Sequence, residues 1–371
     1  MTQREQQILA AITQDRLINQ RQLAAQIGIS RSAIASHITN LIAKGAIEGR
    51  GYVLAVEDFC IAIGGANMDI LGSANDTLVK HNSNLGNVSS SAGGVARNIA
   101  DNLSKLGEKC YLISAVGDDN YGKQLIQVSK NAGIDTSHVV TLEGQRTSCY
   151  LSIVDDEGEM QLAIADMKIL ENLQPALLKK QLPLLKQAKV IVIDTNISTE
   201  LMQFLFENLP QTDFFVDTVS MVKAHKILPF LSHVHSLKPN ILEAQSMSNI
   251  EIGSYKDLPR LADWFHQKGV QRLFISLGKD GLFLSDSSQE DTPVQRQHLN
   301  LRAKPVVNSN GAGDAMTAAL VHCHMQGMDL QKSAYFSLAA AQCAMAIKET
   351  INPELSVSRI QKSLEDALCQ V

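Results

Sequence analysis

Apolar positions recur along the chain in two registers, and the change from one to the other falls near residue 58. Ahead of it the spacing is helical. Ile8, Leu9 and Ile12 share a face of a predicted helix over residues 6–12, and a second amphipathic segment runs over residues 21–27 until Gly28 breaks it. Ser30 can cap a third helix, with Ile34, Ile38 and Leu41 on its apolar face and Arg31, Ser32, Ser36, His37 and Asn40 on the others. From Phe59 onward short apolar runs alternate with amphipathic stretches, which predicts a parallel sheet covered on both faces. The predicted strands are residues 60–63, 110–113, 190–193, 214–216 and 272–275. The expectation is an α/β body over residues 58–371, preceded by a small helical domain over residues 1–56.

Composition agrees with two folded domains. The 371 residues are 45% hydrophobic and 19% charged, without a low-complexity tract, so disorder is not expected. The net charge of −5 argues against a generic polyanion binder, but it is unevenly spread. Residues 1–54 carry Arg4, Arg16, Arg21, Arg31, Lys44 and Arg50 against Glu5, Asp15 and Glu48, a balance of +3 that leaves −8 for the rest of the −5 total. Cys60, Cys110, Cys149, Cys323, Cys343 and Cys369 form no C-x-x-C pair, and no histidine cluster has zinc-site spacing, so the cysteines are expected to be reduced and mostly buried. A polar start and the lack of a bilayer-length apolar run predict a cytoplasmic protein with no membrane partner.

In the small domain, Ala24 allows a close helix crossing, Gly28 supplies a turn and Ile34 locks the third helix on the second, at helix-turn-helix intervals. Residues 44–54 read as two short strands about a glycine turn, a wing. Together they resemble the winged-helix domains of bacterial regulators. Arg31, Ser32, Ser36 and His37 would then face a DNA major groove, with Arg50 on a phosphate. A three-helix domain used for dimerisation or regulation is the other reading of the same pattern.

The body carries its candidate chemistry just past the predicted strands, where ligands collect in open parallel sheets. Asn308-Ser309-Asn310-Gly311-Ala312-Gly313-Asp314 precedes a helical stretch, so its glycines would expose amides at a helix start to a phosphate, with Asp314 poised to take a proton from an attacking hydroxyl. An ordinary glycine-rich turn with a capping Asp fits the same residues. Gly64-Gly65-Ala66-Asn67-Met68-Asp69 offers a carboxylate for paired ribose hydroxyls, or a plain strand-end turn. Ser91 to Asn98 would open a helix running to Leu106, with Gly93 and Gly94 permitting close approach to a sugar. Leu237-Lys238-Pro239-Asn240-Ile241-Leu242-Glu243 ends a strand with an N-x-x-E pair suited to phosphate and a water-held Mg2+, or with a solvated helix start. Ser276-Leu277-Gly278-Lys279-Asp280-Gly281 reads as a tight turn beneath a nucleotide or as a hairpin. Neither a G-x-x-x-x-G-K-[ST] loop nor an H-R-D motif is present.

The order and spacing of these motifs resemble the ribokinase (PfkB) family of carbohydrate and nucleoside kinases, from about residue 58 to the end. The resemblance implies a doubly wound, mostly parallel sheet with a small β lid, and a phosphotransferase using ATP and Mg2+. It implies Asp314 as catalytic base, Gly311, Ala312 and Gly313 as anion hole, and Asn67, Asp69, Gly93, Gly94 and Asn98 as the sugar grip. Asn240 and Glu243 would serve the Mg·ATP phosphates, Glu243 being the residue toward the metal, with Ser276, Gly278 and Gly281 beside the nucleotide. Where many members have Asp-Thr-x-Gly-Ala-Gly-Asp, this chain has Asn308 and Asn310 at the first and third places. In ribokinase those places help hold a monovalent cation, so dependence on K+ stays open.

Within the family, the bacterial pseudouridine kinases and their helix-turn-helix-bearing relatives are the nearest resemblance, carried by residues 92–100, 114–118, 194–198, 216–220 and 235–240. It implies phosphorylation of the 5′-hydroxyl of pseudouridine. Another nucleoside or ribose-like sugar as acceptor, and a nucleoside-sensing regulator, are the alternatives. The hydroxyls of Thr147 and Ser148 lead into a predicted lid hairpin and either read a uracil edge or only satisfy strand ends. In relatives the lid also forms a dimer interface, which implies a homodimer.

Overall fold

The computed structural model describes residues 1–15, 18–47, 58–289, 292–302 and 304–368. Backbone contacts divide the chain into two compact units, Met1–Asp58 and Phe59–Val371.

The first unit consists of α1 (Gln3–Gln14), α2 (Gln20–Ile27) and α3 (Arg31–Ala43). Each start is capped by the residue before it, Thr2, Asn19 and Ser30 respectively, and α2 stops where Gly28 adopts φ 74. Ile8, Ile12, Leu23, Ile34, Ile38 and Leu41 make the core, so the apolar faces read from the spacing are the buried ones. Arg31, Ser32 and Ser36 are exposed and His37 is half-buried. The wing lies mostly outside the described residues, and Arg50 with it.

The second unit is built on β1 (Cys60–Ile63), β2 (Asn67–Ala74), β3 (Gly86–Gly93), β4 (Cys110–Ile113), β5 (Ala115–Gly117), β6 (Val140–Leu142), β7 (Cys149–Val154), β8 (Met160–Asp166), β9 (Val190–Asp194), β10 (Asp213–Asp217), β11 (Ser236–Lys238), β12 (Arg272–Ser276), β13 (Leu282–Asp286) and β14 (Gln295–Leu299). The main sheet has eight strands in the order β14-β13-β12-β11-β10-β9-β1-β4. It is parallel from β4 to β12 and antiparallel at the β13–β14 edge.

Both faces are covered, which is why the strands read as unbroken apolar runs. Ile61, Ile63, Ile191 and Ile193 pack into one core with the helices Thr199–Asn208 and Leu258–Gln267. Cys60, Ala62, Val190 and Val192 pack into the other, with the helices Val95–Lys105, Ala312–Met325 and Leu330–Met345. A second sheet, β3-β2-β7-β8, forms the lid, with β7 and β8 as the expected hairpin.

Two local expectations change. Asn67 and Asp69 lie on strand β2 rather than in a turn, paired with Gly93 and Ser91 of β3. Ser91, Ala92 and Gly93 are therefore strand, and the helix begins only at Val95. The small polar run Gly86–Gly93 has no helical periodicity, and pairing with β2 satisfies its backbone.

Candidate active site

Three neighbouring strands each end on a charged residue, and the parallel register sets Asp194, Asp217 and Lys238 side by side in one row. Asp194 is fully buried and builds the floor. Its Oδ2 accepts from the Gly65 N–H at 2.8 Å and the Ala96 N–H at 2.9 Å, and its Oδ1 accepts from the Asn196 N–H at 2.9 Å. One carboxylate thus ties the end of β9 to the loop after β1 and to the start of the helix Val95–Lys105, whose first amides have no acceptor of their own. A Cβ on Gly64 would lie 2.3 Å from the Asp194 carboxyl carbon, so this approach requires glycine. Burial pushes the Asp194 carboxyl above its usual range despite those bonds.

Asp217 and Lys238 form the next layer. Lys238 Nζ lies 3.2 Å from Asp217 Oδ2, which also accepts from the Thr317 hydroxyl at 3.0 Å. Burial works to lower the Lys238 ammonium, but the charges of Asp217, Glu243 and Asp314 outweigh it and hold it above its usual value. Asp217 Oδ1 accepts the N–H of Val219 at 3.0 Å, holding that β-branched residue at φ 61. Such a backbone is strained, and Val219 lines the cleft described next.

A cleft of about 1010 Å³ opens at these strand ends, lined by residues including Asn67, Asp69, Asn98, Lys223, Gly311 and Asp314. Asn98 donates from Nδ2 to Asp314 Oδ2 at 2.8 Å, across two helices that start at the same cleft. Its amide is oriented from behind, because Arg97 Nη1 donates to Asn98 Oδ1 at 3.3 Å while buried against Asp101. Burial pushes the Asp314 carboxyl up to about 7, with the Asp217 charge adding to it and the Asn98 bond and Lys238 charge opposing. This carboxyl thus holds a proton far more readily than an ordinary aspartate, as suits a general base.

Gly311 caps the helix Ala312–Met325 at φ 78, and a Cβ there would lie 2.0 Å from the Thr350 carbonyl oxygen. Of the first-turn amides that follow, the Ala312 N–H makes a long bond to the Ser309 carbonyl at 3.4 Å, and those after it have no intrahelical acceptor, as an anion would need. A Cβ built on Gly313 would sit 3.4 Å from Lys238 Nζ, so the ammonium stands beside the same helix start.

On the opposite wall, Asn67 Nδ2 donates to Asp69 Oδ1 at 2.6 Å, and a Cβ on Gly93 would collide with Asp69 Oδ2 at 2.1 Å. Burial raises the Asp69 carboxyl, against the Asn67 bond and the Arg97 charge. Gly94 at φ 99 passes within a would-be Cβ distance of 2.4 Å from the Gly65 carbonyl. Thus Asn67, Asp69, Gly94, Asn98, Gly311 and Asp314 come together at one cleft, with Gly93 buried directly behind Asp69.

Thr147 does not join them. It is buried, its hydroxyl donates to Asp119 at 2.6 Å and accepts from the Gly117 N–H at 2.9 Å, and it is outside the cleft lining. From the β7–β8 hairpin, Tyr150, Ser152 and Ala165 line the cleft. Their signal in the sequence was the alternation along β7, in which Tyr150 and Ser152 share a face.

The residues expected beside the nucleotide lie at the next strand ends, outside the lining of this cleft. Asn240 and Glu243 form a capping box, the Glu243 N–H donating to Asn240 Oδ1 and Glu243 Oε2 accepting from the Asn240 N–H, both at 2.9 Å. The Thr218 hydroxyl also donates to Glu243 Oε2, at 2.6 Å, so Oε1 lies outside all three bonds. Ser276 bridges Asn240, and the turn after it passes through Gly278 at φ 61 and Gly281 at φ 91. Lys238, Asp217 and Asp194 were not given roles by sequence reasoning. Their signal was a charged residue closing each apolar run.

A doubly wound sheet with a β lid over a cleft, in which a carboxylate stands in the first turn of a glycine-capped helix, defines an ATP-dependent phosphotransferase of small alcohols. The chain belongs to the pfkB family of carbohydrate kinases, whose model matches residues 57–356, and a winged helix-turn-helix DNA-binding model matches residues 1–48. It is thus a sugar or nucleoside kinase. It is 38% identical over 356 residues to the uncharacterized sugar kinase YeiI of Escherichia coli (strain K12), covering 96% of this chain and 97% of that protein. It is also 38% identical over 316 residues to the pseudouridine kinase of the same strain, covering 84% of this chain and 98% of that protein. In fold it resembles Arabidopsis thaliana ribokinase complexed with ribose and ATP, with a TM-score of 0.75 at 19% identity, covering 84% of this chain and 99% of that one. Among the described residues, no helix is long and apolar enough to cross a membrane.

Proposed function

We propose that the chain transfers the γ-phosphoryl group of ATP to the 5′-hydroxyl of pseudouridine, and the observation that carries this is the 38% identity to a pseudouridine kinase along 98% of that protein's length. Asp69, oriented by Asn67, accepts the paired ribose hydroxyls, and Gly93 leaves room for them. Asn98, held by Arg97, aligns the 5′-oxygen with Asp314. Asp314 takes the hydroxyl proton as that oxygen attacks phosphorus, while the amides of Ala312 and Gly313 hold the phosphoryl oxygens. Lys238 adds positive charge beside the same group.

A Mg2+ ion prefers few carboxylates and several waters, and Glu243, with one oxygen outside its capping bonds, fits that need. When bound, Mg2+ would neutralise the phosphate charges. Asn240, Ser276, Gly278 and Gly281 would flank the nucleotide from the other side of the helix start.

Monovalent-cation dependence is expected to be absent. Asn308 turns its Nδ2 to the Lys348 carbonyl at 2.7 Å and its Oδ1 to the Asn310 N–H at 3.0 Å. An amide donor thus stands where a carboxylate would help neutralise K+.

The test is ATP consumption with Mg2+ against pseudouridine, uridine, cytidine, inosine, guanosine and ribose, with and without K+. A marked preference for pseudouridine supports the proposal. Preference for another acceptor keeps the kinase and discards this substrate, and inactivity on all of them favours the sensor reading.

For the first unit, we propose DNA binding through α3, supported by the exposed Arg31, Ser32 and Ser36 at its start. His37 would lie on the same face, and Arg50 would contact phosphate. A homodimer formed through the lid is proposed as well. Val88, Met160, Leu162 and Ile164 of β3 and β8 are all exposed, an apolar surface that a second copy would cover.

A further inference from the structure

The row of charged residues at the carboxyl ends of the strands has a counterpart at their amino ends. Asp213 opens β10, His235 directly precedes β11, and His324 lies in the last turn of the helix Ala312–Met325 that packs on β10. Each offers one donor atom, and the three donors all lie within 4.8 Å of one another. We propose that Asp213, His235 and His324 form a binding site for a divalent transition metal of the zinc class, separate from the phosphoryl-transfer cleft.

Two imidazoles and one carboxylate are a donor set that suits zinc with an open fourth position. Metal–ligand bonds of about 2.0–2.2 Å place ligands on one tetrahedral ion about 3.4 Å apart. The present spread requires an approach of little more than an ångström, within side-chain torsion. His324 Nε2 already contacts Asp213 Oδ2 at 2.8 Å, and the His235 and His324 rings are 4.6 Å apart.

The surroundings have features that a metal site needs. His235 Nδ1 is held at 2.9 Å by the Ser236 hydroxyl, which leaves Nε2 as the free ring nitrogen. A polar cavity of about 250 Å³, lined by Asp213, His233, His235 and Gln271 among others, gives an ion a path in and room for a water as fourth ligand.

Two cations lie close, Arg272 with Nη1 3.5 Å from His324 Nδ1 and Lys189 with Nζ 2.9 Å from the neighbouring Met325 carbonyl oxygen. The Arg272 charge is answered by Asp286, 3.0 Å from its Nε. For His324 to ligate through Nε2, its ring proton moves to Nδ1 and the guanidinium turns wholly toward Asp286. The bound ion would clamp the end of the helix Ala312–Met325 to β10 and β11. Since that helix begins at Gly311 and Asp314, the clamp would act on the far end of the element that carries the anion hole.

The test is titration of untagged, chelator-stripped, full-length protein with Zn2+ by calorimetry and with Co2+ by visible absorption, without nucleotide or Mg2+. We expect one equivalent bound, a tetrahedral Co2+ spectrum and a raised melting temperature. Asp213→Asn, which keeps the hydrogen bond to His324, and His235→Gln should each weaken binding beyond the roughly 10–100-fold that loss of an outer contact costs. Both should keep near-normal kinase turnover with Mg·ATP. Lack of stoichiometric binding by the wild-type protein, or equal binding by both variants, would overturn the proposal.

Discussion

Asp314→Asn is expected to stabilise the protein while destroying its activity, and the size of the gain follows from the carboxyl's surroundings. The native state holds the Asp314 proton up to about pH 7, whereas an unstructured Asp loses it near 3.8. The folded form therefore binds the proton more tightly. Its contribution to stability is complete at low pH and is lost as pH rises through that window. Asparagine cannot ionise, so the variant escapes the loss. Moving a carboxyl from 3.8 to about 7 is worth about 4 kcal/mol at most, at roughly 1.4 kcal/mol for each decade. The carboxylate keeps some solvent contact, which screens part of this, so about 2 kcal/mol is the expected gain above neutrality. The amide can still accept from Asn98, so no buried donor is orphaned. Thermal melts without nucleotide, from about pH 5 to about pH 8, should show the variant's advantage smallest at the acid end and growing to a few degrees at the alkaline end. Turnover should fall by about 10²–10⁴. In the wild type kcat/KM should decline as pH drops below about 7, because the base must be ionised to accept the proton. A stability difference that does not change with pH, or turnover within about tenfold of wild type, would refute the reasoning.

The other expectations concern neighbours of that carboxyl and the first unit. Gly93→Ala drives a methyl into the Asp69 carboxylate, and steady-state kinetics should show a KM for nucleoside raised at least about tenfold with that for ATP little changed. Lys238→Met leaves Asp217 buried without its cation, which should cost about 3–5 kcal/mol in denaturation and lower kcat as well; retention of both would remove Lys238 from the site. Replacing K+ by tetramethylammonium should leave turnover within about twofold, and a strong loss would mean that the Asn308 arrangement still holds a cation. Arg31→Ala should weaken binding of labelled DNA by anisotropy, whereas unchanged binding would exclude α3 as the reading helix.

Much of the architecture could be read from periodicity because each element satisfies a local rule. The cap Ser30 and the glycine after α2 announce helix ends within a few residues, and continuous apolar runs announce strands covered on both faces. The glycine motif before Asp314 was legible for the same reason, since φ and helix start are backbone properties. Small residues misled where pairing partners decide: Gly86–Gly93 carries no apolar period and became strand only against β2.

What the chain alone determined, then, is which residue types could do phosphoryl chemistry and where its segments begin and end. Which of them meet was decided by the tertiary structure. Asn98 and Asp314 are 216 positions apart yet share a hydrogen bond, and Thr147, equally plausible in the sequence, is turned away to bind Asp119. Asp194, Asp217 and Lys238 become one row through parallel register, and His324 reaches Asp213 across 111 positions because a helix returns along the strand. The physical reason is that local sequence sets dihedral preference and face. Long-range neighbours are chosen by which packing of those faces buries the apolar surface and leaves every buried polar group a partner.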